Sequence, residues 1–271
     1  MSKRYVEIAV VSDVHLGTFG CHAKELNAYL KSINPSTLVL NGDIIDMWQL
    51  NKNYFPTEHT KVLRRILKMM QNGTQVYYIT GNHDEYLRKF SHIQLGNFKL
   101  VNQLTLQLNH ETFWFFHGDV FDVTMQHSKW LAKLGGKGYD YLIILNRAIN
   151  FVLEKTGREK MSLSKRVKDG VKKAAKFISD FEHNTAVFAH EKGVKYVVCG
   201  HIHEPCIKDI NIEGETIHYL NSGDWVENLS ALEYNLGEWN LIHYKDLAIT
   251  FSEDDLDITD FNIQSIINKA M

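Results

Sequence analysis

The chain has 271 residues, 44% apolar and 23% charged, with a formal net charge of −2, a balance that belongs to soluble globular proteins and excludes collagen-like and disordered classes. Three cysteines without CxxC spacing (Cys21, Cys199, Cys206) point to a reducing compartment and buried or free thiols, not a disulfide framework. Glu7 interrupts and Asp13 ends the apolar run after Lys3 and Arg4, so no secretory leader is expected, and no run of 18 apolar residues offers a membrane span.

Residues 5–12 predict a first buried strand running into Asp13-Val14-His15-Leu16-Gly17. Residues two apart on an extended chain face the same way, so Asp13 and His15 can reach one point. A helix is expected over about residues 22–33, stopped near Pro35, and then a strand over 37–40 that ends in Asn41-Gly42-Asp43-Ile44-Ile45-Asp46. Thr57 is a candidate N-cap for a helix reaching about residue 71, with Val62, Ile66, Leu67 and Met70 as its buried stripe and Gly73 as its stop. The next strand, 75–79, runs into Thr80-Gly81-Asn82-His83-Asp84-Glu85. Gly81 permits a sharp turn, Asn82 offers a neutral oxygen ligand, and His83 can transfer protons near pH 7. This alternation of strands and helices is that of a mostly parallel sheet, whose carboxyl edge is where such folds bind ligands.

Beyond Asp84 the pattern changes. Residues 104–108 alternate, and 112–116 form an aromatic strand ending in His117-Gly118-Asp119. Strand signals then nearly vanish until about residue 195. Helices are expected over 139–155 and after Ser162, where Leu163, Val167, Val171, Ala174, Ile178 and Phe181 share one face. Residues 129–176 carry 13 Lys and Arg against 4 Asp and Glu, a net of +9 that leaves −11 on the rest. A basic segment beside an acidic core suits an anionic ligand, although most charge runs are only solvated surface. A strand over 196–199 leads to Gly200-His201-Ile202-His203. Short strands near 207–210, 216–220, 229–234 and 239–244 follow, with Glu213-Gly214 and Leu236-Gly237 as turns. The tail from 253 is acidic, then weakly amphipathic.

Asp13, His15, Asp43, Asn82, His117, His201 and His203 all follow predicted strands. They are oxygen and nitrogen donors without a thiolate, a set that suits Mn, Fe or Zn. Seven side chains exceed the needs of one ion and suit two ions sharing a bridge. Two cations roughly 3.5–4 Å apart can lower the pKa of a shared water and neutralise phosphoryl oxygens for in-line attack on phosphorus.

The blocks Asp13-Val14-His15, Gly42-Asp43, Gly81-Asn82-His83-Asp84, His117-Gly118-Asp119 and Gly200-His201-Ile202-His203 resemble, in that order, the signature of the calcineurin-like metallophosphoesterases. The resemblance implies a four-layer α/β/β/α sandwich with a helical insertion and a di-metal site at the strand ends. One ion would sit on Asp13, His15, Asp43 and His203, and Asp43 would bridge to a second on Asn82, His117 and His201. His83 is the candidate general acid, with Asp84 orienting its imidazole, and Asp46, Asp119 and Asp224 are candidate supporting carboxylates. Within that superfamily the Gly42-Asp43-Ile44-Ile45-Asp46-Met47-Trp48 block, the helical insertion and Asn221-Ser222-Gly223-Asp224-Trp225 look like the UDP-2,3-diacylglucosamine diphosphatase group of lipid A synthesis. Those enzymes carry Arg where this chain has His83.

The resemblance implies a core over residues 1–122 and 195–252, a helical lid over 123–194 and a tail over 253–271. It implies two divalent ions, manganese first with Fe or Zn as alternatives, and hydrolysis of a pyrophosphate or phosphodiester in a lipid-linked or nucleotide-linked substrate. A general phosphomonoesterase or cyclic nucleotide phosphodiesterase is the enzyme alternative. A non-catalytic scaffold, like the retromer subunit on this fold, is the alternative of another class. A stable nucleic-acid complex is not expected, because the basic segment lacks interleaved aromatics. A cytoplasmic protein that touches the inner face of a membrane fits the implied substrate.

Overall fold

The computed structural model describes residues 3–50, 54–123 and 163–249. The helix expected over 139–155, the Ser162 cap and the tail from 253 lie outside them. Twelve strands and three helices occur in the order β1 (Arg4–Val11), α1 (Ala23–Ser32), β2 (Ile33–Asn41), α2 (Thr57–Gln71), β3 (Gln75–Ile79), β4 (Gln94–Leu95), β5 (Phe98–Val101), β6 (Gln103–Leu108), β7 (Glu111–Phe116), α3 (Leu163–Glu191), β8 (Tyr196–Cys199), β9 (Cys206–Ile212), β10 (Glu215–Asn221), β11 (Ser230–Asn235) and β12 (Glu238–His243) among the described residues. By contact they group into two compact units, Met1–Asp119 with Thr185–Met271, and Val120–Asn184.

Two sheets carry the first unit. One has the order β12-β11-β1-β2-β3-β5-β4 and the other β6-β7-β8-β10-β9. The inner pairs are parallel (β1 with β2, β2 with β3, β3 with β5, β7 with β8, β8 with β10) and the outer ones antiparallel. The central strands read as continuous apolar runs because both of their faces are covered. On one face Ala9, Val11, Leu38, Leu40, Val76 and Tyr78 pack with Leu26, Tyr29 and Leu30 of α1 and Val62, Ile66, Met69 and Met70 of α2. The alternate residues Ile8, Val10, Val39 and Ile79 face Phe113, Phe115, Val198 and Leu220 of the second sheet. A period of two thus sorts each strand between a helix layer and a sheet layer. The far face of the second sheet carries Trp114 and Phe116 with ring centroids 4.2 Å apart, and Lys192, one residue past α3, lies 4.9 Å over the Trp114 ring.

Several local expectations change. β2 begins at Ile33, directly after α1, and contains Pro35. The proline is tolerated because β3 pairs with β2 only from Thr37 onward, so no partner on that side needs its missing N–H. Thr57 is the first residue of α2, not its cap. Pro56 holds the cap position and no side chain bonds there. The turns at Glu213-Gly214 (φ 52° and 90°) and Leu236-Gly237 (52° and 89°) are left-handed at both positions, as two-residue hairpins of this twist require. A third such turn, Asn109-His110 (48° and 69°), joins β6 to β7. The 3-10 turn over Glu85–Phe90 and the β4–β5 hairpin were not anticipated, being too short to show a period.

Phe115 is fully buried between the sheets. Phe115→Ala should cost about 3–5 kcal/mol by urea unfolding, the range for an aromatic removed from a closed core. A loss below 1 kcal/mol would mean that the sheets do not close on that residue.

Candidate dinuclear metal centre

The carboxyl ends of β1, β2 and β3 from one sheet, and of β7, β8 and β10 from the other, deliver polar side chains to one place. The segment after β1 runs beside the segment after β2, with Asp13 N donating to Gly42 O (3.0 Å), His15 N to Asp43 O (2.9 Å) and Leu16 N to Ile44 O (2.9 Å). The second sheet joins through Gly200 N to His117 O (3.0 Å) and His201 N to Asp13 Oδ2 (3.0 Å). Three triads result: Asp13, His15 and His203; His15, Asp43 and His83; and Asp43, His117 and His201. In each, the candidate ligand atoms lie within 4.8 Å of one another.

Asp13 and His15 do not meet by the alternation of an extended strand. Both are left-handed (φ 50° and 53°), as are Asp43 (54°), His201 (70°) and His203 (56°). For non-glycine residues this conformation costs on the order of 1–3 kcal/mol each, and such strain concentrates at functional sites. Two glycines let the loops close up. A Cβ on Gly81 would lie 2.6 Å from Asp43 N and 2.8 Å from His117 Cδ2, and one on Gly200 would collide with Asp13 Oδ2 and Ser12.

Four buried atoms here have no hydrogen-bond partner: Asp13 Oδ1, His15 Nε2, Asn82 Oδ1 and His117 Nε2. Both imidazoles are anchored at the other nitrogen. His117 Nδ1 donates to Asn41 O (2.9 Å), and His15 Nδ1 lies 3.3 Å from Asp46 Oδ2. A carbonyl can only accept, so the proton sits on His117 Nδ1 and its Nε2 presents a lone pair inward. That is how metal-binding histidines are oriented. His117 Nε2 lies 3.2 Å from Asp43 Oδ2, close but without hydrogen-bond alignment. Oxygen and imidazole lone pairs converging without donors fit divalent metal ions.

The charges agree. Burial alone would push Asp13 towards its neutral form, but the charges of His203, His117 and His15 hold it far below the usual carboxylate range. Burial also opposes ionisation of Asp43, which His117 nonetheless brings down to about 2. Against their own burial, Asp43 and Asp13 raise His117 well above its ordinary value, and Asp13 raises His203 to about 9. With no metal bound the two carboxylates thus favour a second proton on His117 and a charge on His203, and a metal ion would take the place of such a proton on the inward lone pair.

A model of the calcineurin-like phosphoesterases matches residues 6–205. The chain belongs to that family. Family membership makes it a hydrolase of phosphoric esters. Curated relatives include a UDP-2,3-diacylglucosamine hydrolase of Aeromonas salmonicida, 23% identical over 242 residues, covering 85% of this chain and 91% of the relative. A Porphyromonas gingivalis protein of the same name is 27% identical over 121 residues, 42% of this chain and 46% of its own. An Escherichia coli one is 24% identical over 217 residues, covering 76% and 85%. Among solved structures, a dimetal phosphatase from Danio rerio matches at 10% identity with a TM-score of 0.44, covering 89% and 96%.

The surroundings of His83 in this phosphoesterase differ from expectation. Its imidazole is oriented by Asp46 and not by Asp84: His83 Nδ1 lies 2.9 Å from Asp46 Oδ2, which also faces His15. Asp46 Oδ1 accepts from the N–H groups of Trp48 (3.1 Å) and Gln49 (2.9 Å). Burial opposes its charge, but the bonds to His15, His83 and Gln49 hold its pKa below the ordinary range. Asp84 instead clamps backbone, accepting from Ile44 N (3.0 Å), Gly81 N (2.6 Å) and the Tyr78 hydroxyl (2.6 Å), and its burial raises its pKa. The exposed Trp48 ring lies 4.2 Å from that of His83. Asp119 pairs with Arg88. Asp224 caps the loop after β10, accepting from Val226 N (2.7 Å) and Asn228 N (3.2 Å), while Asn228 Nδ2 holds His203 O (2.8 Å). Asp46 had a visible signal in its spacing after Gly42-Asp43, whereas the Asn41 carbonyl had none.

Gly81→Ala should leave the far-UV circular dichroism intact and abolish tight metal binding, because its Cβ would occupy space held by Asp43 and His117. Elemental analysis finding wild-type metal content in the folded variant would contradict this packing.

Proposed function

We propose that this phosphoesterase hydrolyses the pyrophosphate of a nucleotide-linked diacyl sugar of the UDP-2,3-diacylglucosamine kind, using two divalent ions, with manganese as first candidate. The observation that carries the reading is the set of unpartnered inward lone pairs on Asp13, His15, Asn82 and His117 beside His83. Asp13, His15, Asp43 and His203 would hold one ion, and Asp43, Asn82, His117 and His201 the other. Bound ions would supply the Lewis acidity that activates water and neutralises phosphoryl oxygens.

The chain's own residues account for the proton. Asp46 fixes the His83 ring through Nδ1 and leaves Nε2 for the oxygen that departs from phosphorus. Trp48 covers one face of that ring, which limits its rotation. The substrate class rests on the names of the curated relatives and on the basic character of residues 129–176, with +9 net charge for phosphates and apolar residues such as Ile143, Leu145 and Phe151 for acyl chains. In this reading residues 123–194 serve as the lid. No helix among the described residues is long and apolar enough to cross a membrane. On the substrate class proposed here, the site would meet its lipid-linked substrate at the cytoplasmic face of a membrane.

Turnover with Mn²⁺ should be measured on UDP-2,3-diacylglucosamine, its short-chain analogues, bis-p-nitrophenyl phosphate and p-nitrophenyl phosphate. kcat/KM should rise with acyl length, since each buried methylene contributes roughly 0.8 kcal/mol. A flat response would remove the lipid and leave a phosphoesterase of other specificity.

His83→Ala should keep both ions and lower kcat by about 10²–10⁴-fold on a phosphodiester with an alkoxide leaving group, the range for loss of a general acid. The loss should shrink for p-nitrophenolate and for the phosphate released from a pyrophosphate, which depart without a proton. Equal losses on the alkyl and p-nitrophenyl substrates would show that His83 does not donate the proton.

A further inference from the structure

Ser12 and Ser222 take no part in the chemistry above, yet both are fully buried beside it. Ser12 follows β1 and precedes Asp13; Ser222 follows β10 in the second sheet. Their hydroxyl oxygens are 2.7 Å apart, and Ser12 Oγ also lies 2.9 Å from Gly223 O. The protons can be assigned. A carbonyl only accepts, so Ser12 gives its single proton to Gly223 O and must accept from Ser222. The competing acceptor of the Ser222 proton, Cys199 O, is more distant at 3.5 Å. The chain Ser222 to Ser12 to Gly223 is therefore directional and without access to water.

Its position matters. Other hydrogen bonds join the sheets at this edge: His117 Nδ1 to Asn41 O and His201 N to Asp13 Oδ2 use the proposed ligands, Ser230 Oγ of β11 donates to Ser222 O at 2.8 Å and so holds the same serine, and Asn41 Nδ2 to Val198 O is long at 3.5 Å. The Ser12 hydroxyl is wedged against Gly200, where a Cβ would collide with it, and Gly200 opens the segment that carries His201 and His203. Asp13 is covalently next to Ser12. The latch thus adds to the bonds Asp13 makes itself, Trp225 N to Asp13 O (3.1 Å) and His201 N to Asp13 Oδ2 (3.0 Å), in holding Asp13 beside His203, whose Nε2 lies 3.2 Å from Asp13 Oδ1.

We propose that the Ser12–Ser222 hydroxyl latch is a positioning element for the half of the metal centre formed by Asp13, His15 and His203. This rests on the two-ion reading above. The half formed by Asn82, His117 and His201 contains neither Asp13 nor His203, and His117 has its own anchor at Asn41 O, so that half depends less on the latch.

The test is titration of metal-stripped wild type, Ser12→Ala, Ser222→Ala and the double variant with Mn²⁺, followed by calorimetry and by electron paramagnetic resonance. Wild type should take up two ions and show a spin-coupled signal. Each single variant should bind one ion as wild type does and the other about 10–100-fold more weakly, the range for loss of a group supporting a ligand. At one to two equivalents its spectrum should be that of an isolated ion. The double variant should add little to either single one, because either change breaks the same chain. Two ions bound with wild-type affinity in the folded single variants would overturn the latch, and so would equal weakening of both ions, which marks a general structural effect. Wild type that binds no second ion would overturn the two-ion reading itself, an outcome distinct from failure of the latch.

Discussion

Everything at the strand ends depends on two carboxylates, Asp13 and Asp43, kept ionised out of water. Burying a carboxylate is costly unless cationic partners and hydrogen bonds compensate it. Here burial is opposed by imidazoles from three loops of two sheets, and each carboxylate also holds a backbone N–H, His201 N on Asp13 and His83 N on Asp43 at 2.8 Å. The carboxylates therefore tie the loops together while leaving lone pairs turned inward. A divalent cation satisfies that arrangement more completely than protons do, since it can engage unpartnered oxygens and nitrogens together.

The rest of the architecture serves this demand. Facing sheets bring six strand ends to one edge, and the apolar layer between them, from Ile8 to Leu220, fixes their spacing. Five left-handed residues among the candidate ligands absorb the sharp turns that aim the side chains. That strain is sustained because the segments bearing it are stitched by backbone hydrogen bonds, such as Asp13 N to Gly42 O and Asp46 N to Leu16 O (2.9 Å).

Much of this was legible in the sequence because its cause is local. An apolar run that stops at Gly-Asp or Gly-His marks a buried strand reaching a polar edge, and the two-residue turns at Glu213-Gly214 and Leu236-Gly237 follow from their glycines. What was not legible is set by tertiary geometry. The spacing of Asp13 and His15 suggested an extended chain, but both are left-handed. Two aspartates stand near His83, and adjacency favoured Asp84. The loop after β3 turns Asp84 inward onto Tyr78 and Gly81, while Asp46 arrives from the neighbouring strand end. Pairings between elements 37 residues apart leave no periodic trace.

A histidine at position 83, where the resemblance implies arginine, gains a physical meaning from that partner. The related lipid A enzymes are expected to place Arg there, a group that stabilises charge on phosphoryl oxygens but does not give up its proton in a protein. An imidazole can do both, since as a cation it hydrogen-bonds phosphoryl oxygens and its Nε2 can release a proton to a departing oxygen while Asp46 holds the ring at Nδ1. With the same metal ligands, the arginine form relies on a leaving group that departs unprotonated, as a phosphate of a pyrophosphate does. The histidine form can also assist an alkoxide. A preference for an anhydride would then have to come from elsewhere in the chain, because an imidazole at position 83 serves both leaving groups.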